Sequence, residues 1–120
     1  MPVIKIKRAY DPPAASDGTR FLVDRLWPRG VKKENLPMKE WLKNVAPSQE
    51  LRQWFGHDPA RWHEFQRRYF VELDRTPEAL APIREAARHG DVTLLYGAKD
   101  QEHNDAVALQ AYLSGHKHQR

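Results

Sequence analysis

At 120 residues the chain has room for one domain with one core and not for two ordinary ones. It contains no cysteine, which excludes disulfides, a thiolate metal site and a cysteine nucleophile. A net charge of +4, from 20 Lys and Arg against 16 Asp and Glu, permits an anionic ligand or nucleic acid as partner without requiring either.

The opening Met1-Pro2-Val3-Ile4-Lys5 lacks the apolar core of a signal peptide. No apolar run approaches the ~20 residues of a membrane span. A cytoplasmic protein with no membrane association is expected, with its aromatic residues, four Trp among them, carrying much of the burial.

Val3 to Lys7 alternates, with Ile4 and Ile6 on one side and Lys5 and Lys7 on the other, as in a strand with one wet face near a sheet edge. Arg8 to Thr19 holds Pro12, Pro13 and Gly18 and reads as a loop with at most a short turn. Thr19 to Asp24 carries the run Phe21-Leu22-Val23, typical of a strand covered on both faces. Val31 to Leu36 is polar and reads as a solvent loop. Pro37 then opens a short helix with Trp41, Leu42 and Val45 on one side.

Ala46-Pro47 breaks that helix, and Ser48 is a good N-cap for the next, which buries Leu51, Trp54 and Phe55 and ends at Gly56. Asp58-Pro59 is the clearest helix start in the chain. Trp62, Phe65, Tyr69, Phe70 and Leu73 form its apolar stripe, and Glu64, Arg68 and Glu72 a charged ladder on another face. Thr76-Pro77 repeats the cap-then-proline signal. The stripe Leu80, Ile83 and Ala87 follows, with Pro82 set to kink it or delay its first turn. Asp91 to Gly97 is the third strand. Asp100 can cap a last helix whose inward residues are Ala106, Leu109 and Leu113.

Strands separated by helices predict an α/β fold: a single compact domain over residues 1–115, with a small three-stranded, mostly parallel sheet flanked by helices. Residues 116–120 are expected to form a flexible tail. In such sheets ligands bind beyond the carboxyl ends of the strands. The loops after the second and third strands open at the same edge if those strands are parallel neighbours.

One constellation then converges there: Asp24, Arg25 and Arg29 facing Lys99, Asp100, His103 and Asn104. Arg25, Arg29 and Lys99 suit a phosphate or carboxylate. Asp24 or His103 can move a proton near neutral pH, and Asp100 orients the loop. Trp27, His57 and Asp58 lie on the motif loops that would form the rim. The plainer reading pairs Asp24 with Arg25 or Arg29 structurally and leaves Asp100 as a cap.

A second constellation, Asp24, His57, Asp58, Asp100 and His103, has the donor types of a metal site. Its spacing carries no HExxH pattern and no tight ligand pair on one helix, so no metal ligand is assigned and no cofactor is named. The His116-Lys117-His118 run could chelate adventitious metal. A third constellation, Arg61, Arg67, Arg68 and Arg75 with Lys32, Lys33, Lys39 and Lys43, would suit nucleic acid. Interleaved Glu34, Glu40, Glu64 and Glu72 make it read as an ordinary solvated face. No Gly-rich phosphate loop and no G-x-S-x-G elbow is present.

Three motifs taken together carry a family resemblance: Leu22 to Gly30, Trp54-Phe55-Gly56-His57-Asp58-Pro59, and Leu94 to Asp100 with His103-Asn104. Over nearly the whole chain they resemble the YeaO-like group of a bacterial domain-of-unknown-function family. The resemblance implies a compact cytoplasmic single-domain α/β protein and no particular reaction. Longer relatives can carry Cys beside the His near the last helix. Here Asn104 follows His103, so thiol chemistry does not transfer.

The sequence therefore points to a small anionic-ligand pocket at the carboxyl edge of the sheet, with or without catalysis. The alternatives are a nucleic-acid-binding accessory protein, a metal-dependent Asp/His site, and a protein-interaction module anchored by Trp27 or Trp41.

Overall fold

The computed structural model describes residues 3–115. Four parallel strands make one sheet: β1 (Ile4–Arg8), β2 (Thr19–Leu22), β3 (Glu40–Trp41) and β4 (Val92–Tyr96), in the order β1-β4-β2-β3. The helices are α1 (Gln49–Phe55), α2 (Trp62–Asp74), α3 (Ala81–Ala87) and α4 (Asp105–Leu113). The His116-Lys117-His118 run and the rest of the expected tail lie outside the described residues.

The sheet has four strands and not three. The added strand, β3, falls where the sequence pattern predicts a helix from Pro37 onward. Trp41 and Val45 are spaced as on a helical face, yet Glu40 and Trp41 pair with Phe21 and Leu22 of β2. Only a 3-10 turn, Lys43–Val45, follows. Two residues of strand carry no readable period of their own, so tertiary pairing overrides local preference here.

Phe21, Val23, Val92, Leu94 and Tyr96 face one cluster, to which all four helices contribute through Leu51, Phe55, Phe65, Tyr69, Ile83, Ala106 and Leu109 among others. Leu22 and Leu95 face the opposite way, onto Ala9 and Leu36, with Trp27, Val31, Met38 and Trp41 packed around them. Leu36, expected in a solvent loop, is buried because it covers this second face. The apolar run of β2 is thus covered on both sides, as its composition requires.

Local signals position the helices that matter for the site. Ser48 Oγ accepts from the Leu51 N–H at 3.1 Å, and Gly56 closes α1 in the left-handed conformation at φ 55°. Asp58 accepts from the Ala60 N–H, and Pro59 opens a 3-10 turn that leads into α2. Pro82 is the second residue of α3, which follows directly on the 3-10 turn Pro77–Leu80, so it stands in a first turn where its missing N–H costs nothing. The cap of α4 is Asn104 and not Asp100. Asn104 Oδ1 accepts from the Val107 N–H at 2.9 Å, whereas Asp100 caps the preceding turn through the Glu102 and His103 N–H groups. No helix among the described residues is long and apolar enough to cross a membrane.

Candidate functional site

β2 and β4 run parallel in register, Phe21 beside Leu94 and Leu22 beside Leu95. Their carboxyl ends therefore open side by side. Beyond the last strand residues the ladder continues once more through backbone, Val23 N–H to Leu95 O at 3.1 Å. It then continues through a side chain, the Gly97 N–H donating to Asp24 Oδ2 at 2.8 Å. The Asp24 carbonyl accepts from Trp41 Nε1 at 2.7 Å. Asp24 is thus fixed from both its backbone and its carboxylate at the mouth of the sheet.

A cavity of about 720 Å³ lies over this edge. Its lining comes from the loop after β2 (Asp24, Arg25, Leu26, Trp27, Pro28, Arg29), from α1 and the turn after it (Gln49, Arg52, Gln53, Phe55, His57) and from the entry to α4 (Asn104, Asp105). Tyr10, Pro47, Phe65, Gly97 and Ala98 complete it. The volume falls within the ~300–1,000 Å³ of ordinary small-molecule sites.

The polar groups divide by sign. Asp24 and Asp105 hydrogen-bond through their carboxyls. Burial raises Asp24 above its ordinary value, opposed by the contacts to Asp105 and the Gly97 N–H and by the charges of Arg52 and His57. Asp105 stands well above the usual carboxylate range, first through burial and then through the charge of Asp24 beside it. Two carboxyls in such contact take up and release protons as a pair.

Against it stand the guanidiniums of Arg25, Arg29 and Arg52. Arg25 makes only long contacts to the Pro47 and Ala46 carbonyls, at 3.3 and 3.5 Å. Arg25 and Arg52 are half-buried and Arg29 is exposed. None of the three forms an ion pair among the described residues. His57 joins the rim with φ 58°, the one described non-glycine residue in the left-handed region. Strain of this kind persists only where the surroundings enforce it.

Of the residues singled out from sequence, Asp24, Arg25, Trp27, Arg29, His57 and Asn104 line this cavity. Lys99, Asp100, His103 and Asp58 do not. Lys99 is exposed. Asp100 Oδ2 lies 2.9 Å from His103 Nδ1, and the Glu102 N–H, then His103, hold its carboxyl below the usual range. The His103 ring meets Trp62 edge-on at 5.3 Å. Asp58 serves its turn and pairs with Arg61 at 3.7 Å.

Several lining residues escape the sequence reading, Asp105, Arg52, Gln49 and Gln53 among them. Asp105 looks like any acid in the first turn of a helix. Arg52 carried a usable signal, because Gln49, Arg52 and Gln53 share the α1 face opposite Leu51 and Phe55 at i, i+3, i+4 spacing.

Elsewhere, Arg67 and Arg68 both pair with Glu64, and the Arg61 and Arg68 guanidiniums lie over the Trp54 ring. Trp27 and Trp41 pack edge to face, each with its indole N–H bonded to a backbone carbonyl. No three His, Cys, Asp or Glu side chains among the described residues come together as a metal site.

Comparison with known proteins agrees with the whole-chain motif pattern. A family model described as "Inactive DUF488-N3 subclade" matches residues 3–120. The chain is 42% identical over 110 residues to the uncharacterized protein YeaO of Escherichia coli, covering 92% of this chain and 96% of that one. It is 38% identical over 112 residues to the uncharacterized proteins Rv3073c of Mycobacterium tuberculosis and Mb3100c of Mycobacterium bovis, covering 93% of this chain and 94% of each. No solved structure matches the chain.

Proposed function

The chain belongs to the inactive DUF488-N3 subclade, and from that premise we propose that it is a small-ligand protein whose cleft beyond β2 and β4 binds an anionic group, phosphate or carboxylate. One observation supports this reading above the others. Arg25, Arg29 and Arg52 line a single cavity, and no carboxylate among the described residues pairs with any of them. Arginine matches the planar or tetrahedral oxygens of such anions with two donors at once. The family's description as inactive favours binding over turnover. Asp24 then shapes the floor of the site instead of moving protons in a reaction, and Asn104 holds the α4 N-terminus against it.

Thermal denaturation in the presence of phosphate, sulfate, acetate and citrate tests this. An anion at about 100 times its Kd stabilises by ~2.7 kcal/mol, a clear rise in melting temperature. The rise is expected to vanish in Arg52→Ala and Arg29→Ala and to persist in Lys99→Ala, whose side chain stands outside the cavity. A flat response to every anion, or equal responses in all three variants, would rule the reading out.

A further inference from the structure

We infer that the anion is the phosphate of an ester whose carbon skeleton carries hydroxyl groups, a sugar phosphate with or without an attached base; this rests on the anion-binding reading above. The cavity, about 720 Å³, is many times larger than a bare phosphate or acetate needs. That leaves room beside the anionic group for the rest of a larger ligand, and the remaining polar lining says what would suit it.

Asp24 and Asp105 both line the cavity, and Asp24 Oδ2 already accepts from the Gly97 N–H at 2.8 Å, so the pair offers its remaining carboxyl oxygens to a ligand. A hydroxyl is both donor and acceptor and can satisfy such a pair in either sense. A second anionic group would face the negative charge the pair retains, which disfavours dicarboxylates and bisphosphates. An ammonium group would have to enter beside three guanidiniums, and the charge of Asp24 already feels Arg52 and His57. Gln49 and Gln53 on α1 add amides that likewise serve hydroxyls in both senses. Trp27, Pro28 and Phe55 give the wall an apolar side of the kind that covers a sugar's carbon face or a base.

Titration calorimetry at pH 7 on the full chain tests this with five probes: inorganic phosphate, pentyl phosphate, ribose 5-phosphate, adenosine 5′-monophosphate and O-phosphoethanolamine. Ribose 5-phosphate is expected to bind at least tenfold more tightly than pentyl phosphate, which has the same carbon count and no hydroxyls, and than inorganic phosphate. The nucleotide against ribose 5-phosphate then tells whether a base belongs to the ligand. Equal affinities for ribose 5-phosphate and pentyl phosphate would overturn the inference, as would tightest binding of O-phosphoethanolamine. If inorganic phosphate binds and Arg52→Ala abolishes it while no ester gains, the anion site stands and the sugar does not. If no probe binds while acetate or citrate still raises the melting temperature, the anion site stands and the phosphate ester does not; if those fail too, both readings fall together.

Asp105→Leu should reduce ribose 5-phosphate to the level of pentyl phosphate measured on the same variant, its fold being checked by a cooperative unfolding transition. Asp105→Asn, which keeps a donor and an acceptor, should retain the preference. Should Asp105→Leu not fold, the wild-type comparison of ribose 5-phosphate with pentyl phosphate decides alone.

Discussion

Asp24 and Asp105 hydrogen-bond carboxyl to carboxyl, one just beyond β2 and the other in the first turn of α4. The contact joins two elements 81 positions apart in the chain, and burial raises both acids, so they hold a proton more tightly than ordinary carboxyls. Around it lie the charges of Arg52 and His57 on the Asp24 side, and the buried Tyr69 hydroxyl, which feels both acids.

That proton has a consequence for stability. An acid raised in the folded state holds its proton more tightly there than when unfolded. Stability therefore falls as pH rises from the ordinary carboxylate range through the raised values. Asp105→Asn keeps a hydrogen bond to Asp24 and removes the titration. Urea or thermal unfolding from pH 4 to 8 should show the wild type losing stability on the alkaline side relative to the variant. Each ~1 kcal/mol relieved should appear as about 3–6 °C in Tm for a domain of this size. Parallel pH profiles for the two proteins would show that the pair does not hold its proton.

The opposite sign applies to Asp17. Burial pushes its carboxyl up, but hydrogen bonds from Lys7, the Ala14 N–H and Arg20 outweigh it and hold the group at about 2. Lys7 Nζ sits at 2.9 and 3.1 Å from its two oxygens, and Arg20 is 8% exposed with Nη2 buried and unpartnered among the described residues. The contribution is complete above the ordinary aspartate range near 4 and is lost as pH falls toward 2. Asp17→Ala should cost about 3–5 kcal/mol at pH 7, because it leaves a buried guanidinium uncompensated. The penalty should shrink on acidification toward pH 2, measured by urea unfolding of both proteins.

β1, β2, β4, α1 and α2 were legible because their signals are local. A proline-capped start at Asp58-Pro59, a serine cap at Ser48 and a glycine stop at Gly56 need no knowledge of the rest of the chain. β3 was not, because Glu40 and Trp41 become a strand only by pairing with β2. The site divides the same way. Asp24, Arg25 and Arg29 were readable from the rule that strand ends carry ligands. The polar loop after β4 turned partly inward on itself: Asp100 and His103, three positions apart, bond to each other, and the next residues, Asn104 and Asp105, reach the cavity. Which of four neighbouring polar residues faces the cleft depends on where the helix begins, and the cap at Asn104 fixes that.

Gly18 makes a prediction of a purely steric kind. It adopts φ 67°, and a Cβ there would come within 2.1 Å of the Asp91 carbonyl oxygen. That same carbonyl accepts from the Thr19 N–H at 3.0 Å at the start of β2, while the Asp91 carboxylate accepts from the Val3 N–H ahead of β1. Gly18→Ala therefore presses on the junction of all three long strands. The left-handed backbone alone costs about 1–3 kcal/mol, and displacement of Asp91 adds to it. Chemical denaturation should show a loss of at least that size. A variant as stable as the wild type would mean the turn can open without disturbing β4.

Ser48 ties stability to the cleft. Its hydroxyl accepts from the Leu51 N–H and donates to Glu72 Oε2 at 2.6 Å, and its own N–H donates to Glu72 Oε1 at 2.9 Å. The N-terminus of α1 is thereby clamped to α2, and α1 carries Gln49, Arg52 and Gln53 into the cavity. Ser48→Ala should cost about 0.5–2 kcal/mol as a lost cap. It should also weaken phosphate binding several-fold, though Ser48 does not line the cavity, because Arg52 loses its fixed platform. Ser48→Thr keeps the hydroxyl and should restore both properties. Denaturation and calorimetry on the same samples separate the two effects. Lost stability with unchanged phosphate affinity would show that α1 holds Arg52 in place without its cap.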